Sequence, residues 1–244
     1  MALIERLIKG ALSQVAAASK PSSGRTASKP TTAAAPSVPP PALVDPELLF
    51  VLPSGALLGI AGESFHQEAV AAAARSGAKN PSGLSIWSDV ADDVATERGR
   101  DLRWFEAQLR PMPDNPYDSN AIAVLSPHGH VGYLPRAQAA EYAGIFESLG
   151  KLGYAGAACP AFVDVDKGCV VIALSWPSFC DPEINEERRK RAWEAWEAGE
   201  DLDAAASRLG YDSAAKLLTA ARKRAKERGL EMPPTASMLE RKGQ

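Results

Sequence analysis

Apolar positions along this chain change period several times, and each change marks an element. Residues 2–18 place Ile4, Leu7, Ile8, Ala11, Leu12 and Val15 at three- and four-residue spacing, one stripe on a helix. The stretch that follows is Ser, Thr, Ala, Pro and Lys. It offers too little apolar surface to repay the entropy of ordering, and it predicts a disordered linker over 19–49, stiffened toward polyproline II at Pro39, Pro40 and Pro41. Short apolar runs then predict strands at 57–60, 102–109, 121–125, 130–134, 155–163 and 169–174. Ser126-Pro127-His128-Gly129 reads as the turn of a hairpin. Pro135 suits the first turn of a helix reaching about residue 149, with Ala139, Tyr142, Ala143, Ile145 and Phe146 on its inner side. Residues 68–101 form an insertion after the first strand, helical at its Ala-rich start and polar at its end.

From Pro182 the period becomes helical. Residues 183–199 carry Ala192, Trp193, Ala195 and Trp196, and both Trp are expected in the core of a helical unit. Asp201 caps a second helix over 202–209, Gly210-Tyr211-Asp212 breaks it, and a third helix runs to Arg228 before Gly229. The expected division is a helix at 1–18, the linker at 19–49, a strand-rich domain at 50–178, a helical module at 182–230 and a loose tail at 231–244. Strands around one helix predict an α+β chain whose strand-rich part is a small, mostly antiparallel barrel or sandwich.

Composition narrows the function classes. The 244 residues are 45% hydrophobic and 23% charged, ordinary for a globular protein. No apolar run reaches about 18 residues, so no membrane span is expected. Three scattered Cys fit a reducing compartment, and a cytoplasmic location is expected. Charge is segregated: residues 50–180 hold nine Lys/Arg against fourteen Asp/Glu, and residues 187–244 hold thirteen against ten. P-loop and zinc-finger spacings are absent. His66, His128 and His130 form no zinc-like pairing with Cys159, Cys169 or Cys180. No nucleophile elbow or acid/base pair stands out. The expectation is a non-enzymatic protein with no cofactor and no metal.

The most informative string runs from Pro111 to Leu125, with Asn115-Pro116-Tyr117-Asp118-Ser119-Asn120-Ala121-Ile122-Ala123-Val124 at its centre. Asn and Asp tie down the local backbone and Pro fixes one dihedral, so Tyr117 projects from a constrained turn or simply covers the core. This string resembles the HIRAN domain, a module found in helicases of the SWI2/SNF2 type. The likeness extends to Leu58-Gly59-Ile60-Ala61-Gly62-Glu63-Ser64-Phe65-His66-Gln67 and to Val131-Gly132-Tyr133-Leu134, covering about residues 55–176.

The resemblance implies an OB-like barrel that binds single-stranded DNA and, in a fork-remodelling helicase of the family, captures a free 3′-hydroxyl end. By position it implies that Tyr117 stacks on a base, that Asp118 accepts from the terminal hydroxyl, that Phe65 is a second stacking ring and that Arg136 supplies a basic group at the helix start. Asn115 belongs to the same turn, and Arg103, Arg110 and Arg136 are candidates for a local basic strip. The chain departs from the pattern at Ser64, where an Arg is expected, and at Phe65, where a Tyr is expected. No helicase segment is recognisable beside the motif.

The segment from Asp201 to Leu217 looks like a helix-turn-helix. Its last helix sets Lys216, Lys223 and Lys226 opposite Ala214, Leu217, Leu218 and Ala221, with Arg222 and Arg224 flanking. Such a face suits phosphate contact with duplex DNA, or is a solvated bundle surface. The reading is a DNA-binding protein with a HIRAN barrel for single strands and a helical C-terminus for further DNA contact. The alternatives are an adaptor whose acidic barrel binds a protein, and an accessory subunit of a DNA repair or processing enzyme. The N-terminal stripe is a frayed terminal helix or a docking helix, for a protein partner or for the protein's own core.

Overall fold

The computed structural model describes residues 41–84 and 101–234. The expected helix at 2–18, the linker up to residue 40, the polar end of the insertion and all of the tail beyond residue 234 lie outside the described residues.

Seven strands make one sheet: β1 (Leu49–Val51), β2 (Ala56–Gly59), β3 (Leu102–Pro111), β4 (Ile122–Ser126), β5 (Gly129–Tyr133), β6 (Gly156–Asp164) and β7 (Cys169–Leu174). Their order is β2-β7-β6-β3-β4-β5, with β1 parallel to the start of β6 at Leu49↔Gly156 and every other pairing antiparallel. β6 pairs with β3 along most of its length, while its other edge serves β1 first and β7 later. The sheet curls until its ends meet. Ala61, just past β2, and Tyr133 of β5 exchange two backbone hydrogen bonds, each 2.8 Å. Closure of this kind satisfies edges that would otherwise invite pairing. At the junction Gly132 has φ +154°, and a Cβ there would lie 2.6 Å from the Ala61 carbonyl oxygen.

Five helices complete the described residues: α1 (Gln67–Ser76), α2 (Arg136–Lys151), α3 (Pro177–Glu197), α4 (Leu202–Leu209) and α5 (Ala214–Arg228). α1 turns Val70 and Ala73 inward, and α2 buries Ala139, Tyr142, Ile145, Phe146 and Leu149. The α+β architecture is that of an OB-like barrel with a C-terminal helical module. No helix among the described residues is long and apolar enough to cross a membrane.

The boundaries differ from expectation in three places. β1 was not foreseen, and the chain is already held at Val44, whose N–H and carbonyl pair with the Gln108 side chain at 3.0 and 2.9 Å. The docked chain thus begins inside the stretch read as linker. α3 starts at Pro177 and continues through Pro182, because Cys180 and Ile184 on either side of that proline are buried. One apolar cluster runs from Leu109, Val124 and Ile172 of the sheet through Ile145 and Leu149 of α2 to Ala192, Leu209, Leu217 and Ala221 of the last three helices. The helical part therefore shares the barrel's core. Trp193 and Trp196 are half-buried, and the Trp193 indole N–H donates to the Glu231 carbonyl at 3.1 Å.

Candidate nucleic-acid interface

The connection from β3 to β4 is built from residues that bond their own backbone. Met112 N–H donates to the Ala121 carbonyl at 2.8 Å, closing the loop's base. Inside it, Tyr117 N–H donates to Asn115 Oδ1 and Asn120 N–H donates to Asp118 Oδ1, both at 3.0 Å. Asn115 N–H reaches the Met112 carbonyl at 3.0 Å, and Ala121 N–H reaches the Asp118 carbonyl at 3.0 Å. These are two Asx turns in succession, and Pro116 stiffens the first of them. Beneath lies a small apolar cluster of Met112, Ala121 and Ala123 with Tyr133 against it. Tyr117 is left pointing outward, 68% exposed.

Arg136, the first residue of α2, clamps this loop from the side. Its Nε donates to Asp118 Oδ2 at 3.0 Å and its Nη2 to the Tyr117 carbonyl at 2.7 Å. The Asn120 N–H first, and Arg136 after it, hold the Asp118 carboxyl below the usual carboxylate range. Both Asp118 oxygens are engaged once. A carboxylate offers about four acceptor positions, so each oxygen keeps one for a further donor.

Phe65 ends a short 3-10 turn, Glu63–Phe65, entered through Gly62 at φ +83°. Its ring is 87% exposed. It stands at the rim of a cleft of about 450 Å³ between α1 and β5, next to His66 and His130. The two imidazoles lie 4.0 Å apart between centroids with their planes tilted by 43°, and the Tyr133 ring meets them edge-on at 6.2 and 4.5 Å. Tyr133 thus links this cleft to the apolar base of the Tyr117 loop. Burial lowers the pKa of His66. Burial first, then His66, holds His130 down to about 4. Both rings are uncharged at neutral pH.

The structure therefore brings Asn115, Tyr117, Asp118 and Arg136 into one loop assembly, with Phe65 on the neighbouring cleft. Arg110 is engaged elsewhere. Its Nη1 donates to the Ala42 carbonyl at 3.2 Å, and its Nε is buried with no hydrogen-bond partner among the described residues. Lys216, Lys223 and Lys226 are exposed on α5. Lys216 pairs with Asp212, and Lys223 lies 4.0 Å from Glu227. The flanking arginines turn away from that face: Arg224 to Glu186 of α3 and Arg222 to the Pro233 carbonyl.

The convergence of His66, His128 and His130 with Arg75 on one cleft was not legible in the sequence, where His66 and His128 are far apart and carry no motif. No cluster of three or more His, Cys, Asp or Glu among the described residues is arranged to hold a metal ion.

Comparison with curated proteins and with solved structures gives no match. Residues 94–154 match the family model of the HIRAN domain. They span β3, the Tyr117 loop, the β4–β5 hairpin and α2, which together hold the whole Asn115–Arg136 assembly, so this chain carries a HIRAN domain.

Proposed function

We propose that this protein is a non-enzymatic DNA-binding protein whose barrel holds single-stranded DNA, or its 3′-hydroxyl end, at Tyr117 and Asp118. The HIRAN domain is a DNA-binding module, which makes nucleic acid the partner class. The observation that carries the finer reading is the Tyr117 loop itself. An aromatic ring stands in solvent on a backbone whose turns are internally bonded, and a carboxylate sits at its foot. Exposing a ring forfeits its burial energy, so a rigid exposed Tyr suits stacking on a flat partner. Base stacking is sequence-tolerant, since every base offers a π-face. A carboxylate beside a phosphate chain is repulsive unless it meets a donor, and a terminal sugar hydroxyl is one. The exposed lysines of α5 add a second, electrostatic contact to DNA.

Fluorescence anisotropy with labelled oligothymidine tests this. Tyr117→Ala weakens single-strand binding by about 1–3 kcal/mol, the stacking contribution. Its ring is mostly exposed, so the fold is retained. A folded variant that binds as the wild type does contradicts the reading.

The acid excess of residues 50–180, nine Lys/Arg against fourteen Asp/Glu, favours a protein-binding adaptor as the second reading. Salt separates the two. Phosphate contacts make log affinity fall linearly with log salt, by about 0.7 per contact for single strands. A flat salt response with a protein partner supports the adaptor.

A further inference from the structure

The helical module carries a run of four cations on α3, Arg188-Arg189-Lys190-Arg191. Helical spacing gives three of them an acid one turn back: Arg189 pairs with Glu186 at 2.6 Å, Lys190 with Glu187 at 3.3 Å and Arg191 with Glu187 at 3.0 Å. Arg188 finds Ile184 and Asn185 one turn back, and Arg191 and Ala192 one turn ahead. Its guanidinium makes no hydrogen bond and no ion pair among the described residues, and its Nε is buried. Arginine keeps its charge at every physiological pH, so a half-buried one without a partner costs stability.

The neighbours of Arg188 on the same side of α3, Ile184, Ala192 and Ala195, are buried. They share one core with Leu209 of α4 and with Leu217 and Ala221 of α5. Between those two helices Gly210 lies against the end of α2, where a Cβ on it would come within 3.3 Å of Lys151 Cδ. Tyr211 follows. It is half-buried, and its hydroxyl makes no hydrogen bond among the described residues. Burial raises the pKa of that hydroxyl, while the nearby Arg188 and Arg189 charges draw it down. A fixed cation and a neighbouring hydroxyl, both unpaired and both partly open to solvent, suit an oxyanion, and such side chains are common donors to phosphate. The lysines of α5 are less free: Lys216 is paired with Asp212, and Lys223 lies 4.0 Å from Glu227.

We propose that Arg188 and Tyr211 bind a backbone phosphate of duplex DNA, in the part of the ligand that lies behind the strand's end. The inference rests on the DNA-binding reading above. α2 joins the two places: Arg136 at its start clamps the Tyr117 loop, and Lys151 at its end adjoins the Tyr211 turn, about 22 Å along the axis. With one phosphate per about 3.4 Å of each strand, that span is about six or seven base pairs of duplex. The shared core fixes the spacing, so one DNA molecule engages both sites.

The test uses the full chain and a duplex with a single-stranded 3′ tail, with affinity measured by anisotropy over a range of salt. Arg188→Met keeps the apolar stem and removes the charge, and Arg188→Lys keeps the charge. For Arg188→Met the expected result is a melting temperature equal to or above the wild type's. Its affinity falls several-fold, and its salt slope becomes shallower by about 0.9, one duplex phosphate. Arg188→Lys keeps the wild-type slope. Tyr211→Phe weakens binding without changing the slope, since it loses a donor and no charge. The preference between a 3′-hydroxyl and a 3′-phosphate end is unchanged in all three. An Arg188→Met slope equal to that of a salt-dependent wild type overturns this site and leaves the strand-end reading standing. A melting temperature that falls by many degrees in both Arg188 variants also overturns it, because Arg188 then holds the fold. A wild type whose affinity ignores salt removes the DNA-binding reading and this site with it.

Discussion

At the scale of single residues, Asp118 decides between a turn residue and a ligand. Its two oxygens order the loop through Asn120 and Arg136. Asp118→Asn keeps the size and removes the charge. The expected outcome is loss of the preference for a hydroxyl end over a phosphate end, with the overall affinity for single strands little changed. Competition anisotropy with the two oligomers measures it, and a variant that keeps the preference shows the hydroxyl is not read here. The pH response has a definite sign. The folded carboxyl titrates below its ordinary value, so the loop's ordering is present above the unfolded pKa and is lost as pH falls through the lower folded one. In an NMR titration the Asn120 amide should move with a midpoint below about 3.9. A midpoint at or above that value refutes the clamp by Asn120 and Arg136.

At the scale of elements, closure of the sheet depends on Gly132. A side chain there meets the Ala61 backbone oxygen, which cannot swing aside, at a φ that L residues seldom adopt. Gly132→Ala should lower stability by about 1–3 kcal/mol, read from urea unfolding, through overpacking and loss of the Ala61–Tyr133 bridge. Much of this layer was readable from the sequence. Cys169–Leu174 was expected as a strand with those limits, since the consecutive β-branched residues Val170, Val171 and Ile172 follow the turn that ends at Gly168. The Asn115–Asn120 turn was readable because its chemistry is local. β1 was not, because three residues carry no period and its partner β6 is more than a hundred residues away. α3 was read as starting after Pro182, since proline removes an i→i−4 hydrogen bond. Burial of Cys180 and Ile184 outweighs that loss. The Arg136 clamp and the histidine cleft are tertiary events and left no trace in spacing.

At the scale of the molecule, the sequence suggested a barrel at 50–178 and a separate helical module at 182–230, whereas one core runs through both. Calorimetry should therefore show a single transition for the described parts, with calorimetric and van't Hoff enthalpies equal. Two separated transitions would mean that the shared core is not cooperative. On the outer face of α5, replacing Lys216, Lys223 and Lys226 by Glu leaves the buried Leu217, Leu218 and Ala221 in place. Duplex binding should vanish while helicity by circular dichroism stays. Unchanged duplex affinity would return that face to plain solvated surface. The central claim is that the Tyr117 loop captures the end of a strand, and one measurement tests it most directly. Wild-type affinity is compared for the same single strand ending in a free 3′-hydroxyl and in a 3′-phosphate. The account predicts clearly tighter binding of the hydroxyl end, because Asp118 accepts from the hydroxyl and repels the phosphate. Equal affinity for the two ends contradicts it.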